Sequence, residues 1–358
     1  RLVNHHADCE YPFRQDSNFW YLTGFDEPDS IALFLPHKPK GERFILFVAP
    51  KDILSEVWHG FRWGIEGAER EFKADKAHSI NDFEGLLPFY IGDSQEIVYS
   101  IGKHGKIEKI VLEIFSKQLD ACSRNGIGAN SIKSPEIYLN EMRLIKSAFE
   151  INRMREATQI SAEAHELVRE SISSKKNERQ IQGLIEGFFL EKGARGPAYN
   201  SIVASGDNAC ILHYTSNNSD LNNGDLLLVD AGCSLIDYYN GDITRTIPIG
   251  GKFSKEQKLL YEIVLEAQKT AIENSVKGSN SSNVHNVALR ILVEGLKEIG
   301  LLSGDTDGII ENGSYKHLYM HRTGHWLGLD VHDVGAYRIS EYDVPLENGM
   351  ILLSLIHI

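Results

Sequence analysis

Two carboxylates and one imidazole frame the chemistry open to this chain. Asp230 and Asp242 stand on adjoining strand-like segments in DAGCSLIDYYNGDITRT, and His325 lies far downstream in YMHRTGHWLGLDVHDVG. Oxygen-rich donor sets with one imidazole suit hard divalent cations such as manganese better than thiolate-bound zinc. The chain therefore reads as a metallohydrolase. A plainer alternative is a pair of turn carboxylates and a surface histidine, but each residue sits in a dense block of Gly, Asp and His rather than on a charged helix face. Asp230 also follows the apolar run LLLV, so a buried strand delivers its carboxylate inward. An unpaired charge there would be costly, and a metal is one way to compensate it.

The elements that must position these residues fall into two parts. Over about 1–135, Ile31 to Leu35 and Phe44 to Ala49 are short β-rich runs separated by the turn-forming HKPKGE, and Ile107 to Cys122 has helical spacing. This predicts a small α/β domain, with the Gly/Asn/Ser-rich stretch NGIGANSIKSPEIY as the linker. Over 140–358 one plan occurs twice. A long amphipathic helix is expected from Leu144 through Leu167, then a second from the N-cap Asn177 to Gly193, then strand-like sequence from Tyr199 to Ile249. Ser254 and Gln257 form a capping box that opens a helix ending near Gly278; another helix covers about Ser282 to Ile299, and more strand-like sequence follows.

Composition narrows the function classes. The chain has 358 residues, 42% hydrophobic and 24% charged, ordinary values for a globular protein of two domains. A formal charge of −13 and no basic run interleaved with aromatics argue against nucleic acid or an anionic membrane as partner. Cys9, Cys122, Cys210 and Cys233 are scattered without CxxC spacing, so they read as reduced, packed thiols without a disulfide, in a reducing, cytoplasmic setting. No apolar run approaches the roughly 20 residues that span a bilayer. The chain starts at Arg1 without an initiator Met, which leaves open a lost targeting segment and a mitochondrial location.

The segments NSIVASGDNACILHYT, DAGCSLIDYYNGDITRT and MHRTGHWLGLDVHDVG resemble those of the Xaa-Pro aminopeptidase (aminopeptidase P) family of metallopeptidases, and EYPFRQDSNFWYLTGFDEPDS resembles the start of that family's amino-terminal domain. The resemblance implies an α+β fold, a pita-bread (creatinase/aminopeptidase) catalytic domain preceded by a smaller α/β domain. It implies two divalent metal ions, with Mn2+ expected, a homodimer or homotetramer, and peptide substrates with proline in second position. Two cations about 3.5 to 4 Å apart can share a hydroxide that attacks at neutral pH. By resemblance Asp230 is a terminal ligand, Asp242 a bridging ligand and His325 the imidazole ligand. His213, His321 and His332 match positions at which the family binds substrate and steadies the tetrahedral intermediate; the competing reading makes them core or outer-sphere histidines. His5, His6, His37 and His59 fall outside the motifs and take that second reading. Trp58 and Trp63 are expected to pack in a core, although the resemblance suggests that Trp58 caps a neighbouring subunit's active site.

The chain departs from the family pattern in three places. Asp230 and Asp242 are twelve positions apart, one more than expected. The extra residue is placed in the connection LIDYYNG, with Asn240-Gly241 as the turn; inside a strand it would flip side chains and bring Asp237 into competition with Asp242. Arg322 stands where a Gly is expected. After ENGM, Leu355 falls where a metal-binding Glu is expected and a second Glu has no counterpart, so the chain reads as truncated and, as written, inactive; His357 reads as incidental. The near alternatives are an Xaa-Pro dipeptidase, and a non-catalytic pita-bread binding module.

Overall fold

The computed structural model describes residues 3–7 and 9–354, so Leu355 and His357 lie outside the described residues. The chain divides into two units, one up to Leu139 and one from Asn140 on. In the first, β1 (Ile31–Phe34) pairs antiparallel with β2 (Phe44–Val48), which pairs parallel with β3 (Lys76–Ser79). The β2 sequence FILFV is apolar at successive positions because both faces are covered. Ile45 and Phe47 pack among Phe83, Leu87 and Ile114, whereas Leu46 and Val48 pack among Phe25 and Ala68.

Helices α1 (Ile53–His59), α2 (Gly64–Phe72), α3 (Phe83–Ile91) and α4 (Gly105–Asn125) belong to this unit. The expected linker is not free chain. Its β5 (Ile132–Lys133) pairs parallel with β4 (Ile97–Val98), because backbone groups there find ladder partners that a solvated linker would leave to water. Trp58 is not a core residue either. It is 82% exposed beside Ile53, Leu54 and Val57, since α1 buries none of its residues, whereas Trp63 is half-buried against Phe72.

In the second unit the helix expected from Leu144 is interrupted. Leu144 closes α5 (Glu136–Leu144), and α6 (Ala148–Ser171) starts afresh from a capping box. Glu150 Oε2 accepts the Ser147 N–H at 2.8 Å, while the Ser147 hydroxyl faces the Glu150 N–H. Asn177 caps α7 (Glu178–Glu191) as expected. Strands β6 (Ile202–Ser205), β7 (Leu226–Asp230) and β8 (Thr244–Pro248) form an antiparallel sheet with β7 in the centre.

The plan then repeats. Helix α8 (Lys255–Glu273) opens on the Ser254/Gln257 box but ends at Asn274, four residues early. Helix α9 (Ser281–Glu298) follows, then a short α10 (Thr306–Asn312) without a sequence expectation, and β9 (Gly324–Trp326) pairs antiparallel with β10 (Leu352–Ser354). Ala267 and Ala271 of α8, with Ala288 and Leu292 of α9, surround Trp326 in one core. The small residues let the helices approach while the indole, 1% exposed and stacked on Tyr337, fills the space. That core fixes the residue next to His325. Among the described residues no helix is long and apolar enough to cross a membrane.

Candidate metal centre

Asp230 ends β7, where its neighbours across the ladder are Thr244 and Ile202. The register from Leu226 to Asp230 against Pro248 to Thr244 is unbroken, so no bulge turns Asp242 away. The chain between the two carboxylates is a hairpin extension: the Ala231 N–H donates to the Ile243 carbonyl at 3.0 Å, and the Gly241 N–H to that of Cys233 at 2.8 Å. Its tip is Leu235–Tyr239, closed by the Leu235 N–H to Tyr239 carbonyl bond, with Tyr238 at φ 69°. Asn240-Gly241 is therefore not the turn, contrary to the dipeptide signal. Asn240 bridges back to Ser234 in the ladder, and Gly241 is glycine because α6 passes so close that an added Cβ would lie 2.4 Å from Ser161 Oγ. Asp237 faces away, its carboxylate 2.6 Å from Arg153 Nε of α6.

Tyr199 joins the two carboxylates. Its hydroxyl lies 2.6 Å from Asp230 Oδ1 and 2.8 Å from Asp242 Oδ1. Burial drives the phenol pKa well above its ordinary value, and the two carboxylates add to that, so it remains a neutral donor. Burial likewise raises Asp230 to about 6, with the Asp242 charge adding to it against the Tyr199 hydrogen bond.

His325 approaches from β9. Its Nδ1 is 2.8 Å from the Trp326 carbonyl, which can only accept, so Nδ1 carries the proton and the neutral ring presents a lone pair at Nε2. Nε2 is buried, has no hydrogen-bond partner, and lies 3.4 Å from Asp242 Oδ2. Burial acts to lower this imidazole's pKa, but Asp242 and the Trp326 carbonyl outweigh it and the net shift is upward. A buried Nε2 fixed by an Nδ1–H to carbonyl bond, facing two buried carboxylates, is what a hard divalent cation requires of a protein. The donor chemistry fits. The count is short of a closed shell, because among the described residues no three His, Cys, Asp or Glu side chains are grouped tightly enough to enclose an ion.

The other histidines gather around this corner. His332 stacks on His325, centroids 3.9 Å apart and planes 12° apart. His213 is exposed in the turn after the 3-10 segment Gly206–Cys210, near enough that its charge acts on both Asp230 and His332. His321 packs edge-on to Tyr319 and lines, with His325, His332, Arg322 and Tyr337, a cavity of about 600 Å³. His5, His6, His37 and His59 are exposed surface residues of the first unit rather than core histidines. All four cysteines are free, but only Cys233 is buried, so the packed-thiol reading fails for Cys9 and Cys210, which are exposed.

Three residues at the site had no sequence expectation of a role there. Tyr199 lies outside any short motif with its partners, and Asn240 resembled a turn. His285 of α9, also on the cavity, bonds through Nδ1 to the Thr323 hydroxyl at 2.9 Å, and burial lowers its pKa to about 4. Its only sequence signal was a helical position. The histidine loop is also anchored from behind, with Asp333 Oδ2 2.9 Å from Lys146 Nζ and Asp333 Oδ1 2.5 Å from Arg143, all three buried. Gly328 leaves room for that carboxylate, since an added Cβ would lie 2.0 Å from Asp333 Oδ2.

Residues 152–354 match Metallopeptidase family M24, and residues 1–99 match Aminopeptidase P, N-terminal domain. The Xaa-Pro aminopeptidase of Haemophilus influenzae is 44% identical over 345 residues, covering 96% of this chain and 77% of that one. That of Escherichia coli is 37% identical over 350 residues, covering 98% and 79%. Among solved structures, aminopeptidase PepP of Pseudomonas aeruginosa superposes with a TM-score of 0.92 at 39% identity, covering 98% of this chain and 79% of that one. Zn-substituted Escherichia coli aminopeptidase P in complex with product superposes with a TM-score of 0.90 at 37% identity, covering 98% and 80%.

Proposed function

The chain belongs to metallopeptidase family M24, and on that premise we propose that it removes the amino-terminal residue from peptides whose second residue is proline, using divalent metal ions. Its pita-bread catalytic domain follows a smaller amino-terminal domain. A dedicated enzyme suits this bond, because an Xaa-Pro amide lacks an N–H and populates the cis form unusually often, so ordinary protease recognition fails. The observation that carries the reading is the meeting of Asp230, Asp242 and the bare Nε2 of His325 in one buried corner.

In this reading Asp230, Asp242 and His325 would hold the ions. When bound, the ions supply Lewis acidity toward the scissile carbonyl and lower the pKa of the attacking water. We propose Mn2+, because two carboxylates outnumber one imidazole in the donor set and no thiolate is present. The protein's own part is orientation and charge. The Nδ1–H to Trp326 bond keeps His325 in one tautomer, Tyr199 holds the two carboxylates together, and His213, His321 and His332 offer N–H donors where negative charge develops on the substrate. Assembly as a homodimer or homotetramer belongs to the same reading, supported by the exposed apolar face of α1.

The test compares the unaltered protein with Asp242→Asn on an Xaa-Pro-Xaa tripeptide and an Xaa-Pro dipeptide, with and without added Mn2+. Metal-dependent tripeptide cleavage is expected of a chain that also carries the two glutamate ligands the family resemblance calls for, and its Asp242→Asn variant should lose bound metal and turnover together. Cleavage of the dipeptide alone would turn the reading to a proline dipeptidase. Metal binding without cleavage of either peptide would turn it to a binding module, and near-normal metal content and turnover in the variant would remove Asp242 from the ligand set.

A further inference from the structure

The two carboxylates and the histidines arrive on separate backbone segments, the hairpin 230–242 and the loop 325–333. Asn240 lies where they touch. Its side chain is buried at 3% exposure, and its amide Nδ2 donates to the Gly328 carbonyl at 3.0 Å and to the Leu329 carbonyl at 2.9 Å. Its backbone N–H donates to the Gly328 carbonyl as well, at 3.1 Å. One residue thus ties the hairpin, two positions before Asp242, to the middle of the loop, between His325 and His332.

We propose that Asn240 is a positioning residue that sets the separation between the carboxylate hairpin and the histidine loop, and so the geometry offered to the metal; this rests on the metallopeptidase reading above. Each segment is fixed by its own means elsewhere. The hairpin continues the β7–β8 ladder, and the loop is anchored by Asp333 to Lys146 and by the Asp333 N–H to Trp326 carbonyl bond at 3.0 Å. The hairpin is also held to α6, through the Tyr239 hydroxyl to Glu150 at 3.1 Å and Asp237 to Arg153 at 2.6 Å, so the two segments share a support near Lys146, whereas the Asn240 bonds join them directly. The side chain suits the task because a primary amide carries two N–H donors on a short stem and meets two carbonyl acceptors. An Asp here would turn acceptors toward acceptors. A Ser keeps one donor, and an Ala keeps none.

The experiment measures Mn2+ affinity by titration calorimetry, with melting of the metal-free protein and tripeptide turnover, for the unaltered protein, Asn240→Ala, Asn240→Ser and Asn240→Asp. Outer-shell partners of metal ligands typically contribute about 10- to 100-fold in affinity. Asn240→Ala should bind Mn2+ about tenfold more weakly while still folding, Asn240→Ser should recover part of the loss, and Asn240→Asp should lose more than Ala. A folded Asn240→Ala with unaltered affinity would overturn the proposal and leave the amide a bond of fold stability alone. If that variant does not fold, Asn240→Ser decides in its place, and unaltered affinity there has the same consequence. A protein that binds no Mn2+ even unaltered overturns the proposal too. Failure of the unaltered, Mn2+-loaded protein to cleave the tripeptide counts instead against the functional reading, because the positioning role is judged on the affinity ratio.

Discussion

The imidazole of His332 lies flat on that of His325, with ring centroids 3.9 Å apart. The contact places His332 directly over the histidine whose Nε2 faces Asp242. Burial lowers the pKa of His332, and the neighbouring His325 adds to that, which favours the neutral form of the His332 ring. A neutral imidazole with one N–H is suited to donating toward an oxygen that gains negative charge.

Replacing His332 by Ala removes this donor and leaves the Trp326 bond of His325 in place. Turnover should fall roughly a hundredfold or more, the range of a lost transition-state donor, while bound metal stays near normal. Steady-state kinetics beside metal analysis of the same preparation checks this. Loss of metal and of folded structure together would show the ring to be structural.

Tyr199→Phe deletes the hydroxyl shared by Asp230 and Asp242 without changing the ring. Two buried carboxylate oxygens then face each other with no donor between them. The metal-free protein should lose about 1 to 3 kcal/mol in denaturant unfolding. Saturating divalent metal should restore part of the loss, because cations compensate the same charges. Unchanged metal-free stability would show that the hydroxyl does not hold the pair.

The legible part of the site was the part written in short motifs. Asp230 could be placed because LLLV announces a buried strand, and the Ser254 capping box is a local signal that the structure repeats. Tyr199 was not legible, because it meets its partners across a sheet, 31 and 43 positions away in sequence. Asn240-Gly241 was read as a turn because the dipeptide has the right local preference. Tertiary context overrode it, since the Asn amide had two carbonyls to reach and α6 left no room for a side chain at Gly241. The break between Leu144 and Ala148 was hidden by apolar spacing that runs on past it, although Ser147 with Glu150 carried the same capping signal used correctly at Ser254.

Glu178 supports the turn that carries His213. Fully buried at the start of α7, it accepts the Ser205 N–H at 2.7 Å, the Ser219 N–H at 2.9 Å and the Tyr214 hydroxyl at 2.8 Å. Burial alone would raise its pKa, but the N–H groups of Ser219 and Ser205 outweigh that and hold it low. Glu178→Gln places an amide among donors and should destabilise the fold by about 3 kcal/mol. Turnover should fall in the fraction that remains folded. A variant as stable as the parent in urea would mean the carboxylate's charge is not needed there.

His165 gives the site a dependence on acid that involves no ligand. Buried in α6, it lies 2.9 Å through Nε2 from the Ala231 carbonyl, and its pKa falls to about 4, chiefly by burial. The folded protein keeps this ring neutral where the unfolded chain, titrating near the ordinary value of about 6.5, takes up a proton. Between those two values the unfolded state binds more protons, so stability falls as the pH is lowered. The loss should reach about 2 kcal/mol at pH 5, since each pKa unit is worth about 1.4 kcal/mol. His165→Gln keeps an N–H for the Ala231 carbonyl but does not titrate. Between pH 7 and 5 the metal-free parent should therefore lose more stability in urea than this variant does, with the other acid-sensitive groups cancelling in the comparison. Equal losses would mean that His165 is already protonated in the fold, and that something other than a neutral imidazole holds the backbone between the two carboxylates.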